Sequence, residues 1–159
     1  TYFYRDARGR LAIGPVWDFN NACNNYFEDE LPYTGFFLNN RLWFEMLIKD
    51  EDFTERIIQR YHSLRKGLLS EESLYRYIDK TLDFIAPALA RNDARWGSVE
   101  QQAKGLLVPV SRNLDSRSAA EGQLKGYLRN SGKWLDENIE TLRQYSASSR
   151  VKQYNEVND

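Results

Sequence analysis

Strand-like sequence in this chain is confined to residues 1–17, and the apolar residues after position 41 recur at helical spacing. That division leaves a β-hairpin as the largest sheet these residues can build, so most of any core must be helical. Tyr2 and Tyr4 alternate with Thr1, Phe3 and Arg5, and Leu11-Ala12-Ile13 follows the polar link Asp6-Ala7-Arg8-Gly9. Two short runs around a polar, glycine-containing link predict a hairpin. Pro15 ends the second run, because its nitrogen cannot donate to a ladder. Two strands alone are marginal in water, so the hairpin is expected to pair with strands that this sequence does not contain.

Helical signal begins at Arg41. Leu42 to Ile48 reads as a short, nearly all-apolar helix, expected to be buried. Asp52 and Glu55 have the spacing of a capping box, with Phe53, Ile57, Tyr61, Leu64 and Leu68 as the stripe behind them and Gly67 as a left-handed stop. Ser70, followed by Glu71 and Glu72, opens a further helix with Leu74, Ile78, Leu82, Ile85 and Leu89 on one face. Pro87 should kink it near Asp83. A short helix is possible over Val99–Leu107, ended by Pro109. Leu124, Tyr127, Leu128, Leu135, Ile139 and Leu142 keep phase across Gly132, which predicts one long last helix. The fold class is thus mainly α (α+β): a hairpin (1–17), a long loop (18–40), a bundle of about four helices (41–146) and a polar tail (147–159).

Composition narrows the function. Apolar residues are 42% and charged residues 28%, with a mean hydropathy of -0.68, which marks a globular chain. No apolar run approaches the ~18 residues of a membrane span. A net charge of -1 predicts no field that would gather nucleic acid. The single cysteine, Cys23, excludes an internal disulfide framework, and the single histidine, His62, excludes a multi-histidine metal site within the chain. Thr1 opens directly in strand-like sequence without a leader, so the chain reads as a piece of a longer protein.

The chemistry-bearing stretch lies at the start of the loop. Residues 18–40 hold Asn20-Asn21, Asn24-Asn25, Asn39-Asn40, Pro32 and Gly35. Asparagine competes for backbone hydrogen bonds and tolerates left-handed backbone, which predicts a structured loop. Asp18 follows the second strand between Trp17 and Phe19. With those aromatics packed inward, its carboxylate would project from a fixed strand end. Mg²⁺ needs few protein oxygens when phosphates and water complete its shell, and protein kinases use an Asp-Phe-Gly segment in this way. A turn-capping aspartate is the alternative on these residues alone.

The run Tyr2-Phe3-Tyr4-Arg5-Asp6, Gly9-Arg10-Leu11 and Gly14-Pro15-Val16-Trp17-Asp18-Phe19 resembles the spore coat protein H (CotH) kinase family. That family shows a tyrosine-rich strand, a hairpin, then Gly-Pro-x-Trp-Asp-Phe-Asp and a Gly-Asn. Asp50-Glu51-Asp52-Phe53, Arg95-Trp96, Leu124-Lys125, Tyr127-Leu128 and Trp134-Leu135-Asp136 are similar to its later helices. The resemblance implies the C-terminal lobe of an atypical protein kinase, using ATP and Mg²⁺ to phosphorylate serine or threonine of spore-coat or surface proteins. It implies a bacterial protein of the spore coat or cell surface. Asp18 falls on the family's metal-binding aspartate, and Asn20 on its second acid, where an amide oxygen can coordinate without bringing charge. Asn24 replaces the glycine of Gly-Asn, and Ser131 stands where arginine is usual. The nucleotide-binding lysine, the phosphate-covering region and the catalytic aspartate are all expected upstream of Thr1, and an upstream N-terminal lobe is the expected partner of this one. No catalytic residue is assigned within the chain, and these residues alone are expected to be inactive.

Other residues have plainer readings beside sharper ones. Cys23 reads as a small buried hydrophobe rather than a nucleophile. His62 reads as a surface or half-buried histidine rather than a base. Tyr26, Phe27, Tyr33, Phe36 and Phe37 either line a substrate groove or pack beneath the loop. Arg56, Arg60, Arg65 and Lys66 make a basic helix face, solvated by default. The rival to a kinase lobe is a pseudokinase or helical assembly module without catalysis, which Asn20 and Asn24 favour.

Overall fold

The computed structural model of the protein describes residues 2–15, 17–37, 42–98 and 105–146, with Leu42 described in its backbone only. Strands β1 (Phe3–Tyr4) and β2 (Ala12–Ile13) pair antiparallel, Phe3 opposite Ile13 and Tyr4 opposite Ala12. The link between them turns where Gly9 N–H donates to Asp6 O at 2.9 Å, and Gly14 N–H donates to Tyr2 O at 2.9 Å just before Pro15. The hairpin is exposed, Phe3, Tyr4, Leu11 and Ile13 included.

Four α-helices lie among the described residues: α1 (Leu42–Leu47), α2 (Glu51–Arg65), α3 (Glu71–Trp96) and α4 (Arg117–Asn138). A 3-10 turn (Val110–Arg112) precedes α4 and a second 3-10 segment (Ile139–Gln144) follows it. The fold is thus mainly α with a small sheet at its N-terminal end. Ser70 and Ser116 cap α3 and α4 by accepting from the amides of Ser73 and Ala119. α3 runs through Pro87 without a break and ends where Gly97 adopts φ 86°, a conformation that glycine supplies without a Cβ penalty. Its stripe of Leu74, Ile78, Leu82, Ile85 and Leu89 is half-buried, whereas Tyr77 and Phe84 are exposed.

The core is small. Ile48, Ile58, Ile139 and Leu142 are buried together, with Phe36, Ile57, Tyr61 and Leu135 packed against them. It sits where α2 meets the segment closing α4. Thr54, fully buried, donates its hydroxyl to Ile48 O at 2.9 Å and so joins α2 to the end of α1. α3 meets α4 through Tyr75 Oη on Lys125 O at 3.1 Å and Arg117 on Asp93 at 2.6 Å.

Several expectations are corrected. α2 is capped by Asp50, not Asp52: α1 ends early enough to leave Asp50 extended, and its carboxylate accepts from Phe53 N–H at 2.7 Å. The buried side chains of α2 are Thr54 and Ile58, whereas Leu68 lies beyond the helix and is 74% exposed. Gly67 is not left-handed; Lys66 stays right-handed and Gly67 N–H donates to Leu64 O at 3.0 Å. α1 is not buried as a whole, since Trp43, Met46 and Leu47 are exposed. The last helix crosses Gly132 as expected, but tightens to 3-10 geometry at Ile139, which lets Ile139 and Leu142 both face α2. The helix expected at Val99–Leu107 falls mostly on residues outside those described, and Leu106–Val108 are not helical. The tail, 147–159, also lies outside the described residues.

Candidate functional site

Asp18 stands at the exit of the hairpin with φ 54°, left-handed backbone that aspartate tolerates better than most residues. It is exposed, and among the described residues its carboxylate takes part in no hydrogen bond or ion pair. The flanking aromatics do not pack inward: Trp17 is 66% and Phe19 69% exposed. Among the described residues none of the buried core lies in the hairpin, and Trp17 makes an edge contact with Tyr2, with centroids 5.6 Å apart.

What orders the carboxylate's loop is instead a set of turns. Ala22 N–H donates to Phe19 O at 2.9 Å and Asn25 N–H to Ala22 O at 3.1 Å. Asn25 Nδ2 reaches back to Asn20 O at 2.7 Å. Asn20 itself is exposed, its Nδ2 donating to Asn21 Oδ1 at 3.4 Å. Cys23 and Asn24 are also left-handed, with φ 55° and 65°. Cys23 is half-buried, and that burial pushes its thiol above the ordinary range, away from the thiolate a nucleophile requires.

One residue that contacts this loop from far along the chain carries no motif in the sequence. Arg112 is 5% exposed. Its Nη2 donates to Asn24 O at 2.8 Å, Asn24 Oδ1 at 3.2 Å and Tyr26 O at 2.9 Å, and its Nη1 donates to Val108 O at 2.6 Å. Asn24 Oδ1 also accepts from Leu31 N–H at 2.7 Å. Val108 N–H donates to Phe27 O at 2.9 Å. The only hint in sequence is an arginine set between Pro109 and Asn113 after the apolar run Leu106-Leu107-Val108.

As a donor set for a cation, Asp18 supplies one charged oxygen and Asn20 one neutral oxygen, both exposed on one short stretch. Among the described residues no group of three histidine, cysteine, aspartate or glutamate side chains converges. That chemistry fits Mg²⁺, which keeps several waters and takes phosphate oxygens, better than a metal needing an all-protein cage.

The family model described as CotH kinase protein matches residues 1–135. The chain belongs to the CotH kinase family. It matches no curated protein and no solved structure at a significant level. CotH membership makes it a kinase-like protein, and the match covers the hairpin, the Asp18 loop and most of α4.

Among the remaining candidates of this CotH-family chain, His62, Arg65, Phe36 and Tyr26 have structural partners. His62 is half-buried, with Nε2 2.8 Å from Glu140 Oε1. Arg65 leaves the basic face, holding Asp136 through Nε at 2.9 and 3.0 Å, while Arg56, Arg60 and Lys66 stay exposed. Burial would raise the Asp136 carboxyl, but hydrogen bonds from Arg65 and Tyr61 outweigh it and hold it below the usual range. Of the loop aromatics, Phe36 packs edge-on against Trp134 at 5.0 Å. Phe36 and Phe37 line an apolar cavity of about 340 Å³ with Phe44, Phe53, Ile57 and Leu135. Phe27 and Tyr33 are exposed, and Tyr26 donates to Glu28. Among the described residues no helix is long and apolar enough to cross a membrane.

Proposed function

We propose that residues 1–146 are the C-terminal part of a CotH-type kinase domain, with Asp18 as its metal-binding carboxylate and Asn20 as a neutral second ligand. The observation that carries this reading is the exposed Asp18 carboxylate, free of protein partners among the described residues and standing at the mouth of a loop tied from within. A carboxylate used only to cap a turn would be spent on a backbone amide. Mg²⁺ bound there would neutralise charge on the phosphates of ATP. The chain's own part is positioning: the left-handed backbone at Asp18 turns the carboxylate off the strand, and the Asn25 side chain fixes the turn behind it.

In this reading the intact protein transfers phosphate from ATP to serine or threonine of a spore-coat or surface protein. The nucleotide lysine and the catalytic aspartate lie upstream of Thr1, the lysine on an N-terminal lobe, and upstream strands extend the exposed hairpin. The test is transfer of labelled phosphate from ATP in Mg²⁺. The full-length protein is expected to label a protein acceptor, its Asp18→Asn variant to label it at a rate lower by at least about a hundredfold, and residues 1–159 alone to label nothing. Labelling by residues 1–159 alone would overturn the division of labour.

A second reading is a pseudokinase or assembly module. The neutral Asn20 at the second metal position favours it, together with Asn24, whose oxygen is committed to Leu31 and Arg112. Nucleotide binding without any phosphate transfer by the full-length protein would select it.

A further inference from the structure

We propose that Arg112, on the 3-10 turn before α4, is a positioning residue that holds the Asp18 loop in the shape needed to bind a cation. This rests on the reading of Asp18 as a metal ligand. Left-handed backbone at Asp18, Cys23 and Asn24 is unfavourable for residues with a Cβ and persists only where surrounding contacts over-determine it. The bonds within residues 19–25 are local, and the Asn25 Nδ2 bond to Asn20 O is exposed, so water competes for it. Longer-range ties come from Arg112, from Val108 N–H on Phe27 O, and from Tyr127 Oη on Pro32 O at 2.9 Å. Of these, only Arg112 reaches a left-handed residue, and it does so with a buried guanidinium.

The side chain suits that task. A planar fork can serve carbonyls on two separate segments at once, Val108 on one side and Asn24 with Tyr26 on the other, whereas a lysine ammonium offers a compact charge. Arg112 also stands on a fixed base. Its own N–H donates to Pro109 O at 3.0 Å, and Asn113 brackets Leu107, accepting from its N–H at 2.9 Å and donating to its O at 3.0 Å. A buried guanidinium whose partners among the described residues are carbonyl oxygens, with Nε unpartnered, carries a desolvation cost that its contacts with the loop must offset. Its return is a loop whose first residue is aimed.

The test compares full-length wild type with Arg112→Lys and Asp18→Asn. Mn²⁺ serves as the probe, its binding followed by electron paramagnetic resonance in the presence of ATP, and amide hydrogen exchange is followed in parallel. Arg112→Lys is expected to weaken Mn²⁺ binding about tenfold, as loss of a supporting contact behind a ligand does. It should also speed exchange at Ala22, Asn25 and Leu31 while α2 and α3 keep wild-type protection. Wild-type Mn²⁺ affinity in Arg112→Lys would overturn the proposal, and so would unchanged exchange at those amides. Should Arg112→Lys fail to fold, Arg112→Gln, which keeps a planar amide donor but cannot reach both segments at once, takes its place, and wild-type Mn²⁺ affinity or unchanged exchange in that variant overturns the proposal in the same way. If Asp18→Asn leaves Mn²⁺ affinity unchanged, the metal reading fails, and the role of Arg112 in holding the loop is decided by exchange alone.

Discussion

Gly132→Ala sets helix propensity against a guanidinium. Gly132 is buried in the interior of α4. A Cβ built there would stand 2.7 Å from Arg65 Nη2, 2.9 Å from its Cζ and 3.1 Å from its Nη1. Contacts that short cannot persist, and the end of a flexible side chain yields before helix backbone does. Arg65 would therefore swing away, losing its bonds to Asp136 and the Nη1 bond to Leu69 O at 2.6 Å. The ion pair is partly open to solvent, with side chains 18% and 42% exposed. Its worth is then about 1 kcal/mol, below that of a buried charged bond, and the Leu69 bond adds about 1 kcal/mol. Against that loss, alanine in a helix interior gains about 1 kcal/mol over glycine. The net expectation is destabilisation of about 1 kcal/mol in wild type, and stabilisation of about 1 kcal/mol in an Arg65→Ala background. Urea or thermal unfolding of the four proteins of the cycle reads the coupling, each kcal/mol moving the melting temperature by about 2–4 °C in a chain of this length. Equal stabilisation of both backgrounds would refute the claim that Arg65 lies across Gly132.

Two further outcomes follow from the same interface. Glu140 is held below the usual carboxyl range by His62 and then Arg143, Glu55 by Arg143, and Asp136 by Arg65 and Tyr61 against the opposing effect of burial. Their folded values lie below the unfolded ones, so the stability they contribute is present above the ordinary carboxylate range and is lost as pH falls through the folded values. The urea midpoint is expected to drop once pH falls below about 4, and less steeply in Asp136→Asn; a parallel curve in that variant would contradict the linkage. Ile58→Ala, at a site 2% exposed, should cost about 3 kcal/mol. Leu68→Ala, at a site 74% exposed, should stay within about 0.5 kcal/mol, and similar losses for the two would contradict the placement of the α2 stripe.

Legibility in the sequence follows the range of the forces involved. Local signals read well. The polar link at Asp6–Gly9, the cap at Ser70 and the unbroken phase across Gly132 depend on neighbours a few residues away, and each appears in the fold. Where two local signals compete, position is decided elsewhere. Asp50 and Asp52 are both competent caps, and the end of α1 selects Asp50. The burial of Ile58 rather than Leu68 is set by what α2 packs against, Ile139 and Leu142 in a segment far along the chain. Trp17 and Phe19 carry an apolar signal, but among the described residues the buried core forms around α2 and the end of α4, and they remain exposed. At the candidate site, the motif draws attention to Asp18, and the fold leaves it exposed at the hairpin exit. Arg112 has no such motif, because its contact with Asn24 spans 88 positions and leaves no periodic trace.

In the proposed function the Asp18 carboxylate holds the divalent ion through which nucleotide is bound. The most direct measurement is calorimetric titration of ATP into full-length wild type and Asp18→Asn, each with Mg²⁺ and with chelator. Mg²⁺ is expected to strengthen ATP binding to wild type and to lose at least about tenfold of that enhancement in Asp18→Asn, with chelator values alike in the two proteins. An equal Mg²⁺ enhancement in both would contradict the account.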